Sequence, residues 1–203
     1  MGTEATSKNI GPEEPKKAGR PRSEESTQAI LDATWALMLN KSLQDISIEA
    51  IAKVSGVGKA TIYRWWPSKC ALVIDTIIDK VPPELEFPEC QSAAESIKKQ
   101  MQALIKAFAG DYGRILGEII AESQACPERL ENFRKNFIYK RRETVKAIIE
   151  KGIRNGEFSK CLDIDLAVDV LYGAIFYRLL VKHLPLDQAF AEQLPEFALK
   201  VIK

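Results

Sequence analysis

The sequence predicts an all-α chain in two parts: an N-terminal three-helix unit and a C-terminal helical bundle. Three observations carry this. Apolar residues recur at helical spacing from Ile30 to the C-terminus, and no segment alternates convincingly with period two. Serines stand directly before three of the N-terminal stripes, at Ser23, Ser47 and Ser68, where their side chains can cap a helix. The Pro- and Glu-rich stretch VPPELEFPEC, from Val81 to Cys90, separates two helical regions. These observations divide the chain into a tail (1–22), an N-terminal domain (23–81) and a C-terminal domain (82–203).

Residues 1–22 have almost no apolar side chains, so they cannot offset the entropy of ordering, and a flexible tail is expected. Glu24 and Glu25 follow Ser23 as acidic residues on a first turn, and Ile30, Ala33, Thr34, Leu37 and Met38 continue that helix until it fades near Asn40–Ser42. Ile48, Ile51 and Ala52 start the second helix. After Pro67, Ser68 caps an apolar helix from Lys69 to about Lys80, ended by Pro82 and Pro83. Further stripes follow at Ile97–Phe108, broken by GDYG, then at Ile115–Ile120, and at Leu130–Ile149, ended by RNGEF. Ile164 to Leu184 is apolar nearly all round and must be covered on several sides. Leu186 to Val201 forms the last stripe, with a kink expected at Pro195.

The segment from Ser47 to Trp66 reads as a helix-turn-helix. Gly56 can take positive φ at a tight corner, and Val57, Ile62 and Trp65 return to the core. Gly58, Lys59, Ala60, Thr61, Tyr63 and Arg64 are left facing outward. About eight residues at ~1.5 Å each span ~12 Å, the width of a DNA major groove. Lys59 and Arg64 can donate to guanine or phosphate, and the Ala60 methyl can meet a thymine methyl. Gly58 lets the backbone approach closely. Thr61 and Tyr63 have hydroxyls of phosphate-contact length, and Ser47 and Lys69 stand at helix N-termini that favour an anion. Trp65 is expected in the core and Trp66 packed beneath the reading helix. In the tail, Arg20 and Arg22 of GRPR have the form of a minor-groove arm, set against the plain reading of a solvated tail.

The stretch IEAIAKVSGVGKATIYRWWPSKCALV resembles the N-terminal domain of the TetR/AcrR family of one-component transcriptional regulators. The resemblance covers roughly Glu25 to Lys80 through the pattern S/T-x-x-x-I-A-x-x-x-G-V-x-x-x-T-I-Y-x-x-W/F-x-S-K. The sequence departs from the family at Asn40–Ser42, where a glycine is usual, and at Ser55, where alanine is common. The resemblance implies an effector-controlled regulator, a repressor that binds a palindromic double-stranded DNA operator as a homodimer. It also implies a C-terminal domain that dimerises and binds a small-molecule effector. The scattered cysteines, read as free thiols, and a polar N-terminus without an apolar signal-peptide core lead to the expectation of a cytoplasmic protein. The chain's own residues offer candidates for that pocket: Met101, Ile105, Phe108, Leu116, Ile120, Phe133, Phe137 and Phe176, which fit plain core equally well. Arg141 falls on the apolar phase between Phe137 and Val145, where it either bends to solvent or a nearby Glu, or anchors an anionic effector. For the dimer, Gly173 sits mid-helix where a close crossing would offset its cost, alongside Tyr177, and Phe190, Leu194 and Phe197 form a ridge on the last helix.

Other classes find little support. The net charge of +1 leaves any basic site local. The four cysteines are scattered and His183, expected to cap a helix C-terminus, is the single histidine, so no metal ligand set or cofactor is expected. Cys70 on a first turn could have a lowered thiol pKa, but a structural thiol is the plainer reading. There is no phosphate loop, dinucleotide fingerprint or nucleophile elbow, so no enzyme is expected, and no apolar run approaches a membrane span. The rival is a helical ligand-binding or scaffold protein with the same fold and no operator of its own. Such a protein would lack the outward basic residues, which are present here.

Overall fold

The computed structural model describes residues 24–203. The tail readings at Arg20 and Arg22, and the cap at Ser23, lie outside the described residues. The N-terminal unit comprises α1 (Glu24–Asn40), α2 (Ile48–Ser55), α3 (Lys59–Trp65) and α4 (Lys69–Asp79). The C-terminal bundle comprises α5 (Ala93–Phe108), α6 (Asp111–Gln124), α7 (Pro127–Phe133), α8 (Tyr139–Arg154), α9 (Ile164–Val181) and α10 (Gln188–Val201). Short 3-10 turns at Leu43–Asp45 and Pro83–Leu85 join elements. No strand occurs among the described residues.

The helices start where the sequence supplies acceptors for their free N–H groups. Ser47 and Ser68 accept from Ala50 N and Ala71 N, and Ser92, Asp163 and Asp187 act likewise on α5, α9 and α10. In the N-terminal unit α1 packs on α2 and α4, closing over Ile30, Met38, Ile51, Ile62 and Leu72.

Trp66, not Trp65, occupies that core. It is 1 % exposed, and its Nε1 donates to the Asp75 carboxylate at 2.8 Å. Trp65 is half-buried, beneath the Arg64 guanidinium. The reversal follows from the end of α3: Trp66 is already extended (φ −125°, ψ 107°), so the helical phase that places Trp65 inward no longer governs its neighbour.

The bundle is organised around α5, which packs against α6, α8, α9 and α10. The break at GDYG holds. At Gly113 an added Cβ would run into the Phe108 carbonyl oxygen, so the α5–α6 corner can be this tight only with glycine there. The long stripe from Leu130 to Ile149 is split: a π-helical turn at Arg134–Ile138 joins α7 to α8. α10 runs through Pro195, which is buried. His183 lies beyond the end of α9 and packs against Tyr177 with tilted rings, centroids 4.5 Å apart, rather than capping the helix. Among the described residues, no helix is long and apolar enough to cross a membrane.

Candidate nucleic-acid interface and ligand cavity

The turn between α2 and α3 depends on Gly56, which closes α2 in the left-handed conformation (φ 71°, ψ 8°). Gly58 then opens α3, and Ile62, fully buried, ties that helix to the core. Lys59, Ala60, Tyr63 and Arg64 stand exposed on its outer face, with Gly58 beside them and Thr61 half-buried. Lys59 Nζ meets Glu49 Oε1 at 3.1 Å; both side chains are more than half exposed, and such a pair yields easily to a stronger anion. Ser47 is exposed but already caps α2 through its hydroxyl.

Lys69 has a different partner from the phosphate expected of it. Its ammonium donates to the carbonyls of Leu43 and Ile46, at 2.5 and 3.0 Å, and so ties the start of α4 to the turn after α1. Two of its three N–H donors are thereby committed within its own chain. Burial pushes the Cys70 thiol up, opposite to what a reactive thiolate needs.

In the bundle, a cavity of about 1080 Å³ opens between α5, α6, α8 and α9. Of the nine expected lining residues, Phe108, Ile120, Phe133, Phe137, Arg141 and Phe176 line it. Met101, Ile105 and Leu116 do not; they are fully buried in the packing between helices. The stripe on α5 is wide, and its Gln100–Leu104–Phe108 edge faces the cavity while the Met101–Ile105 edge faces other helices. Tyr112, Gln100 and Tyr172 also line it without having been singled out. Tyr112 is hidden inside the helix-breaking GDYG, but Gln100 and Tyr172 are polar groups set among apolar stripes, a detectable signal.

The polar groups of the wall differ sharply in how they are satisfied. The Tyr172 hydroxyl donates to Gln100 Oε1 at 2.8 Å. Arg134 pairs with Glu131, and Arg142 with Asp165 and Asp169. Arg141 has no ion pair among the described residues; it donates to the Phe137 carbonyl at 3.1 Å and lies 3.8 Å over that residue's ring. Burial lowers its pKa and pushes Tyr112 up to about 12, so both groups keep their protons at neutral pH. The Tyr112 hydroxyl is buried with no hydrogen-bond partner.

Residues 30–76 match the family of bacterial regulatory proteins called the tetR family, and residues 87–197 match the tetracyclin repressor-like C-terminal domain. The HTH-type transcriptional regulator YdeS of Bacillus subtilis is 33% identical over 187 residues, covering 92% of this chain and 94% of YdeS. The chain belongs to the TetR family. It is a helix-turn-helix transcriptional regulator by that membership, as the sequence pattern implies. The crystal structure of the TetR-family regulator SCO0332 is 30% identical and superposes with a TM-score of 0.76 over 89% of this chain and all of that one. FadR of Bacillus subtilis in complex with stearoyl-CoA shares the fold, with a TM-score of 0.68 at 21% identity over 87% of this chain and 99% of that one.

Within this TetR-family fold, α6 touches both working regions. Tyr112, Ile120 and Gln124 face the cavity. One turn away, Arg114 donates to the carbonyls of Met38 and Leu39 at the end of α1 and pairs with Glu118, which accepts from Leu43 N. The dimer candidates are dispersed. Gly173 and Tyr177 are exposed on α9 and Phe197 on α10, but Leu194 is half-buried and Phe190 is buried, with Arg178 3.6 Å over its ring. Phe190 is therefore a core residue of the monomer and not part of an exposed ridge.

Proposed function

We propose that this chain is a cytoplasmic repressor that binds a palindromic operator as a homodimer, one α3 in each of two successive major grooves. A small molecule entering the α5–α9 cavity releases it. We assign it no catalytic role. The observation that carries the reading is α6. It joins a large aromatic cavity to the end of α1 through Arg114 and Glu118, so a ligand that displaces α6 also moves the support of the reading helix. The ligand must bind the released arrangement better than the DNA-bound one for this to work. FadR holding stearoyl-CoA supports the use of this fold for a small molecule.

Lys59 and Arg64 supply the groove contacts, Gly58 and Ala60 the close approach, and Thr61, Tyr63 and Ser47 the contacts to flanking phosphates. Arg20 and Arg22 are assigned to the adjacent minor groove. The test is selection of bound DNA from a random pool. An inverted repeat with half-sites about one helical turn apart is expected. A single unrepeated site, or no enrichment, would overturn the reading.

A further inference from the structure

The polar inventory of the cavity identifies the class of effector. We propose that the cavity takes an organic acid with an extended apolar body, its carboxylate received by the Arg141 guanidinium and the Tyr112 hydroxyl. The inference rests on the regulatory reading above.

A guanidinium offers five donors. Arg141 uses one on the Phe137 carbonyl, and no carboxylate of the described chain neutralises its charge. The two other arginines of the wall, Arg134 and Arg142, both have carboxylate partners, although the buried Arg134 Nε has no acceptor, so the unmatched positive charge belongs to Arg141. Glu86 and Asp169 also belong to the wall, but both are exposed, and Asp169 is committed to Arg142.

Tyr112 is the second, independent sign. Its side chain is 6 % exposed, and its hydroxyl has no partner. A buried donor without an acceptor is costly, and a bound carboxylate removes that cost. The protonated phenol and the guanidinium are both donors, so together they select an acceptor-only group, and an ionised carboxylate is one.

The rest of the wall is aromatic and aliphatic, with Phe108, Phe133, Phe137 and Phe176 forming much of it. Tyr172 and Gln100 satisfy each other, Thr144 donates to the Lys140 carbonyl, and Gln124 stands exposed at the rim. Beyond its head group the ligand therefore meets a mainly apolar wall. A cavity of about 1080 Å³ reaches the upper end of the roughly 300–1,000 Å³ of drug-sized sites, which asks for a long or polycyclic body.

The experiment compares dodecanoate with its uncharged methyl ester by calorimetry on the full chain. The wild-type protein should bind the acid at least about tenfold more tightly than the ester, the effect of one charge-assisted hydrogen bond. Arg141→Gln should abolish that preference, and Arg141→Lys should keep part of it. Tyr112→Phe should reduce it several-fold, and thermal melts check that each variant is folded. Equal binding of acid and ester, no binding of the acid, or an undiminished preference in folded Arg141→Gln would overturn the proposal. Operator release is read separately on selected DNA: acid that binds through Arg141 without loosening DNA would contradict the regulatory reading and leave the anion site standing.

Discussion

At the scale of single residues, the α3 surface separates groups that read from groups that hold. Lys59 is the first residue of α3 and its only tie among the described residues is an exposed carboxylate, so its ammonium can leave Glu49 for a base edge. Lys59→Ala is expected to relax base preference at one position of each half-site, seen as a flattened column when DNA selection is repeated. Tyr63→Phe should lower affinity with the preferred sequence unchanged, since its exposed hydroxyl suits a phosphate. Lys69 belongs to neither class. Because it bonds the Leu43 and Ile46 carbonyls, Lys69→Met should cost about 1–2 kcal/mol of stability in urea unfolding. The salt dependence of DNA binding should keep its slope; a slope about one unit shallower would return Lys69 to the phosphate.

At the scale of elements, the ends of helices carry much of the specification. The N-terminus of α5 is held twice, by the Ser92 hydroxyl and by the Glu157 carboxylate, which accepts from Ala93 N and Ala94 N at 3.0 Å each. Burial alone would raise the Glu157 pKa, but the two backbone donors outweigh it and hold the group below its ordinary 4.5. A depressed carboxylate adds stability that is complete above its unfolded pKa and disappears as pH falls through its folded one. Glu157→Gln should therefore cost about 1 kcal/mol at pH 7, and the gap to wild type should close below about pH 4, in melts followed by circular dichroism. A gap of constant size across that range would show that packing, not charge, is the contribution of Glu157. Gly152 makes this arrangement possible, since a side chain there would strike Phe158 and Ala93.

For the whole molecule, the exposed apolar surface of α9 and α10 is the candidate contact with a second subunit. Leu166, Tyr177, Leu180 and Val181 on α9 are each between 45 and 60 % exposed, and Phe197 on α10 is 69 % exposed. Gly173 borders the cavity, and an added Cβ there meets nothing within 4 Å among the described residues. A two-fold interface repeats each contact, so a single charge acts twice. Phe197→Glu is expected to give folded monomers in sedimentation at micromolar concentration, with operator binding lost although α3 is intact. Dimers of unchanged affinity would place the interface elsewhere. Phe190→Glu, in contrast, should destabilise the monomer itself, because that ring is 8 % exposed beneath Arg178.

The sequence by itself determined the helices, the corner at Gly56 and the outer face of α3, because each of these depends on spacing within one short segment. It also placed Arg141 on the apolar phase of its helix. Tertiary structure decided which edge of a wide stripe meets a cavity, and so moved Met101, Ile105 and Leu116 into the core while adding Tyr112 and Gln100 to the wall. It decided between Trp65 and Trp66, because helical phase ends where the backbone leaves the helix. It also decided the partners of charged groups: Lys69 finds carbonyls more than twenty residues earlier, Arg142 finds two aspartates on α9, and Arg141 finds the Phe137 carbonyl but no carboxylate among the described residues. Spacing along a chain fixes which way a side chain points from its own helix. What it meets there is supplied by elements distant in sequence, and only folding brings them within reach.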